Sequence, residues 1–197
     1  MKQIYIYGAS GHGLVIADVA KNCGYEEIIF IDDGDNIYPT FDDIKDSKGI
    51  PIAFGIGNNS IRKKLFGKVK KHNFNIPTLI HPSAVISDVD IGEGTVIMPQ
   101  VVINTKSQIG RGVILNTSSV IEHENIIGDF VHISPNVALA GNVSIYEETH
   151  IGIGSCVIQG IKIGKNCMIG AGSVVIRDIE NKKIAYGNPC KVIKEYK

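Results

Sequence analysis

The chain has 197 residues, 44% of them hydrophobic, with Lys plus Arg and Asp plus Glu balanced at 20 each. That length holds one or two domains with a sizeable core, and zero net charge argues against nucleic acid or an anionic membrane as the main partner. Cys23, Cys156, Cys167 and Cys190 show no C-x-x-C spacing, and neither a signal peptide nor a bilayer-spanning run is visible, so reduced thiols in a cytoplasmic protein are expected.

The first 76 residues read as a small α/β domain. Gln3 to Tyr7 is a β-rich run, followed by Gly8-Ala9-Ser10-Gly11-His12-Gly13 and a helical pattern through Leu14, Val15, Ala17, Val19 and Ala20 that ends near Asn22 to Gly24. A second strand, Glu27 to Ile31, runs into Asp32-Asp33. Strand, Gly-rich turn, helix, strand and acid follow the logic of a nucleotide-binding βαβ unit: phosphate at the helix N-terminus, carboxylate on a ribose hydroxyl. The order G-x-x-G-x-G departs from the dinucleotide fingerprint, and the domain is half the usual size, so a mononucleotide or sugar-nucleotide site is expected. Residues 34 to 50 are polar and turn-rich, a surface loop or short helix. Ile52 to Ile56 reads as a third strand leading through Gly57-Asn58-Asn59 into a helix from Ser60 to about His72, capped by Ser60 or Asn59. Its cations, Arg62, Lys63, Lys64, Lys68, Lys70 and Lys71, are expected on a solvated face.

From 77 to 197 the chain is a repeat. Read in sixes from Leu79, the first residue of each of 17 hexads to Val175 is Ile, Leu or Val. The fifth position is mostly small or β-branched, and Gly follows the apolar residue at Gly92, Gly110, Gly128, Gly152, Gly164 and Gly170. A period of six fits neither helix nor lone strand; it fits a three-faced prism, three hexads to a coil, stacked at about 4.8 Å, with Gly, Asn and Asp at the corners. Such an array folds as a unit.

One hexad is unusual: Ile121-Glu122-His123-Glu124-Asn125-Ile126 concentrates charge in an apolar array. With positions 121 and 125 inward, His123 projects from a corner, and Glu124 can orient it as a general base. Eighteen residues on, Gly141 lies on the same edge, where a bare N–H makes a good oxyanion donor. His132 and His150 stack by the same arithmetic, but two histidines do not complete a metal site, so no metal is expected.

The pattern Ile-Gly-x-Gly-x-Val at 91–96 and 169–174 resembles the hexapeptide-repeat acyltransferases, which implies a left-handed parallel β-helix. The segments IYIYGASGHGLV at the start, GIGNNSIRKK at 55–64, GVILNTSSVIEHE at 112–124 and the closing GNPCKVIK at 187–194 resemble the sugar-nucleotide acetyltransferases of the sialic-acid O-acetyltransferase-like group, most of all those of the bacillosamine pathway. The resemblance implies a homotrimer with acetyl-CoA in the groove between neighbouring prisms. His123 would be the base and Glu124 its orienter. Asn116 and His132 would line the acetyl-CoA site, with Gly141 N–H on the thioester carbonyl and Ile153 and Gly170 along the pantetheine arm. Gly8, Ser10, Gly11 and His12 would take the nucleotide phosphates, Asp32 and Asp33 the ribose or base, and Gly57 and Asn58 would flank the same pocket. The expected reaction is N-acetylation of the 4-amino group of a nucleotide-linked 4-amino-4,6-dideoxy sugar, UDP-linked by preference, for bacterial glycan or glycoprotein synthesis. Alternatives are O-acetylation of sialic acid or a related sugar, and a β-helix of another class such as a zinc carbonic anhydrase.

Overall fold

The structure, a computed structural model, describes residues 1–47 and 49–196. The chain opens with β1 (Gln3–Tyr7), α1 (Gly11–Asn22), β2 (Glu27–Ile31), α2 (Phe41–Ile44), β3 (Ile52–Phe54) and α3 (Asn59–Lys71). The three strands form a parallel sheet in the order β2-β1-β3. Both faces of β1 are covered, as its near-continuous apolar run requires. Ile4 and Ile6 share a core with Ile16, Ala17, Val19 and Ala20 of α1, while Tyr5 and Tyr7 pack with Phe41, Phe54, Phe66 and Val69 on the other side. α3 is capped one residue earlier than expected, by Asn58, whose side chain accepts from Ile61 N at 3.0 Å. Its buried stripe is Asn59, Arg62, Phe66 and Val69.

The rest is a three-faced parallel β-solenoid of six coils. The first face stacks the strands Leu79–Ile80, Val96–Ile97, Ile114–Leu115, His132–Ile133, His150–Ile151 and Met168–Ile169. The second stacks Val85–Ile86, Val102–Ile103, Val120–Ile121, Ala138–Leu139, Cys156–Val157 and Val174–Val175. The third stacks Asp90–Ile91, Gln108–Ile109, Ile126–Ile127, Ser144–Ile145 and Lys162–Ile163. From Ile97 to Val175 the inward residues are those of the hexad frame, almost all fully buried. A hairpin of Lys183–Tyr186 and Lys191–Glu195 closes the first face. Among the described residues no helix is long and apolar enough to cross a membrane.

Two details of the repeat differ from the sequence reading. The first coil is one residue short: Ile80 pairs with Ile97 and Ile86 with Ile103, while Ile91 pairs with Ile109. Leu79 is therefore not axial; it turns outward and is buried against the α1 core. Val85 is 63% exposed. Both slipped positions are apolar either way, so the register gave no warning. The second detail concerns the corners. Every sixth residue from Gly94 to Gly172 has a positive φ, including Gln100, Ser118, Glu124, Phe130 and Glu148. That is the fourth place of the hexad, whereas the glycines in the second place serve close stacking: a Cβ on Gly92 would lie 2.4 Å from Arg111 N on the next coil.

The first face carries the N-terminal layer. Its outward column, Leu79, Val96, Ile114 and His132, is buried, and one apolar core runs from α1 into the solenoid. The outward column of the second face (Val85, Val102, Val120, Ala138, Cys156 and Val174) is apolar and uncovered to varying degrees.

Candidate active site

The edge between the second and third faces carries His123, Glu124 and Gly141. His123 sits in the third place of its hexad, just before the left-handed residue Glu124 (φ 61°), so the turn throws its side chain off the corner, where it is 56% exposed. Nδ1 lies 3.0 Å from Glu124 Oε2. With that nitrogen donating to the carboxylate, Nε2 is left with its lone pair, the tautomer a general base needs. Gly141 lies directly against the ring: a Cβ there would stand 2.4 Å from His123 Cε1 and 2.5 Å from Nε2. The backbones are tied as well, Asn142 N donating to His123 O at 2.9 Å. Gly141 is itself buried beneath the ring, and among the described residues its N–H donates to no group, so imidazole and glycine lie side by side, as the arithmetic of 18 predicted. Inside this corner, fully buried, lies Asn125.

The second cluster is where the C-terminal ends of β1, β2 and β3 meet the first face, the position at which open α/β sheets bind ligands. Gly8, Ser10, Asp32, Asp33, Gly57 and Asn58 lie on the loops at these ends, and Gly11 and His12 open α1 beside them. The glycines divide into two kinds. Gly8 and Gly13 are demanded by chain packing: a Cβ on Gly13 would fall 2.0 Å from Gly8 O, and one on Gly8 2.9 Å from Gly55 O. Gly11 and Gly57 face open space, and the Ser10 side chain, at the N-cap of α1, makes no cap bond. Asp32 accepts from Ala9 N and Gly34 N, each at 2.9 Å, bracing the loop. Asp33 is engaged by Tyr7 Oη, Phe41 N and Lys68 Nζ. Its carboxyl is held below the usual range by those bonds against the opposing effect of burial, and burial, with Asp33 next, raises the Tyr7 phenol.

Below the loops the histidines gather. His132 stacks on His150 with ring centroids 4.5 Å apart, and His12 reaches over His132 at 6.1 Å. His132 Nε2 meets Asn116 Nδ2 at 3.1 Å, and Nδ1 lies 3.4 Å from Gly57 O. His150 Nε2 meets Ser134 Oγ at 2.8 Å, and the buried His12 Nε2 has no partner among the described residues. Burial, then positive neighbours including Arg62, lowers His12 to about 4 and His132 to about 2, and lowers His150 too. These are neutral polar rings. Among the described residues no group of three or more His, Cys, Asp or Glu is placed to hold a metal ion.

Arg62, expected on a solvated face, is 1% exposed. Its guanidinium donates to Gly112 O, Ile56 O, Gly57 O, Asn59 Oδ1 and Phe130 O at 2.7–3.2 Å, and burial lowers its pKa to about 9. It joins the Gly57 loop to two coils of the solenoid. Its place in the stripe 59, 62, 66, 69 was the available signal; charge type masked it.

The expected cofactor residues fall elsewhere. Asn116, Ile153 and Gly170 lie on the edge between the first and second faces. Ile153 is 52% exposed, and Gly170 is pressed by Tyr186, whose Cβ would be 2.7 Å from an added Cβ. Within one chain, then, the base and its oxyanion donor occupy one edge and the residues expected along the coenzyme another, with the apolar second face between them.

A βαβ layer seated on a hexapeptide-repeat prism, with a histidine–carboxylate pair at one corner, defines an acyltransferase of the sugar-nucleotide type. Residues 3–69 match the family described as PglD N-terminal domain. The chain is 38% identical over 114 residues to UDP-N-acetylbacillosamine N-acetyltransferase of Bacillus subtilis (strain 168), an alignment covering 50% of this chain and 52% of that protein; it thus spans about half of that curated relative. Two solved structures extend over the whole chain. The acetyltransferase domain of PglB from Neisseria gonorrhoeae FA1090, in complex with acetyl coenzyme A, is 36% identical, covers 98% of this chain and 99% of its own, and superposes with a TM-score of 0.90. PerB from Caulobacter crescentus, in complex with CoA and GDP-perosamine, is 35% identical over 98% and 97%, with a TM-score of 0.93. The chain belongs to this family of sugar-nucleotide acetyltransferases.

Proposed function

We propose that the protein transfers the acetyl group of acetyl-CoA to the amine of a nucleotide-linked amino sugar, the 4-amino group of a UDP-linked 4-amino-4,6-dideoxy sugar by preference, in bacterial glycan or glycoprotein synthesis. The observation that carries the mechanism is the contact of His123 and Gly141. The neutral amine attacks the thioester carbonyl carbon. His123 Nε2 accepts the proton as the C–N bond forms, and Glu124 holds the resulting imidazolium. The oxyanion rests on Gly141 N–H, and its collapse expels the CoA thiolate. No covalent enzyme intermediate is required, because an amine is already a competent nucleophile. A general base supplies about 10²–10⁴ in rate, so His123→Ala should lower kcat by that order with the fold intact.

The Gly8–His12 loop, Asp32 and the Gly57–Asn58 turn would hold the nucleotide, with Asp33 bracing the loop from within. Asn116, His132, Ile153 and Gly170 would line the coenzyme. Because Asn116, Ile153 and Gly170 lie on one edge and His123 on the other edge flanking one apolar face, we infer that three copies associate through that face as a homotrimer. Packed around a threefold axis, the first–second edge of one copy meets the second–third edge of the next, and each groove becomes complete. The unopposed apolar column of the second face supports this reading. The cytoplasm is the compartment proposed, on the absence of cysteine pairing expected for oxidising surroundings.

The deciding experiment measures thiol release from acetyl-CoA against UDP-, dTDP- and GDP-linked amino sugars, with free sialic acid as the hydroxyl acceptor. Turnover confined to an amino-sugar nucleotide supports the proposal; turnover of sialic acid in preference refutes it.

A further inference from the structure

We propose that Asn125 is a positioning residue for this reaction: its buried amide sets the height of the His123 corner against the Gly141 corner. The inference rests on the assignment of His123 as base. Asn125 is fully buried and fills the inside of the turn whose outside carries His123. Nδ2 donates to Glu122 O, the carbonyl before His123, and at 3.1 Å to Ala140 O, the carbonyl before Gly141. Oδ1 accepts from Val143 N at 2.8 Å, two residues beyond Gly141. Both amide hydrogens and the oxygen thus grip the two segments that must be held together.

The fold does not need an amide here. The same interior column continues through Val143 and Ile161, both buried and apolar, so valine fits the corner. A buried primary amide costs free energy unless fully bonded; valine here would also strip Ala140 O and Val143 N of this partner, so some loss of stability is expected beside the loss of rate. Elsewhere in the solenoid a shorter side chain makes the coil-to-coil part of this bridge. Ser155 Oγ donates to Gly170 O at 3.1 Å and accepts from Ser173 N at 3.2 Å, offsets of 15 and 18 residues that Asn125 reproduces. What asparagine adds is the simultaneous hold on Glu122 O within its own coil. Ser107, one coil below, donates to the same carbonyl at 2.9 Å and accepts Asn125 N at 3.2 Å. Buried polar groups in this column are therefore confined to the coil of His123 and the one beneath it.

The test compares Asn125→Val and Asn125→Ser with the parent by steady-state thiol release, alone and in a His123→Ala background, with melting temperature as the check on folding. Loosening the corner by a fraction of an ångström to 1 Å should lower kcat of the valine protein about 10- to 100-fold, with KM for acetyl-CoA nearly unchanged. Serine, which keeps the coil-to-coil bridge, should restore kcat to within about threefold of the parent. In the His123→Ala background the valine change should cost nothing further, since its effect runs through the imidazole. A folded valine protein with parental kcat overturns the proposal, as does an equal loss with and without His123. If the valine protein does not fold, Asn125→Ala, which adds no steric demand, is judged on the same criteria. A His123→Ala protein of unchanged kcat overturns the base assignment and the positioning role together; loss in His123→Ala beside an unaffected Asn125→Val overturns the positioning role alone.

Discussion

Gly141→Ala isolates the placement of the imidazole from every other feature of the edge. The backbone N–H survives the substitution, so the oxyanion donor is retained. Gly141 is not in the left-handed region, so alanine meets no backbone strain, and lost freedom in the unfolded chain offers about 0.4–1 kcal/mol of stabilisation. The new methyl would stand 2.4 Å from His123 Cε1 and 2.5 Å from Nε2, where carbon contacts settle at about 3.5–4.0 Å. The ring must therefore retreat by roughly 1 Å. It is half exposed and can do so at little cost in stability. A misplacement of that size is worth about 10²-fold in rate, or about 2.7 kcal/mol in the barrier. Initial rates of thiol release at saturating acetyl-CoA and acceptor, with a thermal melt on the same preparation, measure both quantities. The expected result is a stable protein whose kcat has fallen about 100-fold while KM for acetyl-CoA barely moves. A Gly141→Ala protein with kcat within twofold of the parent would refute the claim that ring and amide act as a pair, whatever His123→Ala shows.

Arg62→Met should destabilise the fold by about 3 kcal/mol or more, because several buried carbonyls lose their donor at once; urea denaturation reads it, and a loss under about 1 kcal/mol would contradict the joining role. Stability should also fall in mild acid. His12 and His132 are held at about 4 and about 2, and His150 is also lowered, against an ordinary 6.5. Below pH 6.5 the unfolded chain binds more protons than the folded one, so stability declines as pH drops through 6.5 and keeps declining toward about 4, where His12 begins to charge in place. The urea midpoint should be lower at about pH 5 than at about pH 7.5, and His132→Asn should narrow the gap; equal midpoints in the parent would show that the rings are not kept neutral. Glu124→Gln should lower kcat only about three- to tenfold, since the pair is half exposed and well screened; a loss matching that of His123→Ala would instead make Glu124 a base in its own right.

How much of this was legible before folding depends on whether a residue's role is periodic. The prism, its inward column and the pairing of His123 with Gly141 follow from counting sixes and eighteens, because parallel coils repeat at a fixed length and each place in the hexad has one direction. The count fails where the chain is free to choose between equals. Leu79 or Ile80, Val85 or Ile86 are interchangeable as apolar residues, and the packing of Leu79 on α1 decides the register of the first coil. The βαβ unit was legible as a motif, but the motif does not say that Gly8 and Gly13 are also required by the close packing of the β1–α1 turn on itself and on Gly55. Arg62 was read by charge, and charge says nothing of burial: it is the most deeply set cation of α3. The split of the site needed no coordinates at all. The arithmetic that sets 141 beside 123 equally assigns Asn116 and Ile153 to a neighbouring edge. A single prism cannot fold a flat face away, which is why the proposal that the reaction uses both edges goes with the proposal that a second copy supplies one of them.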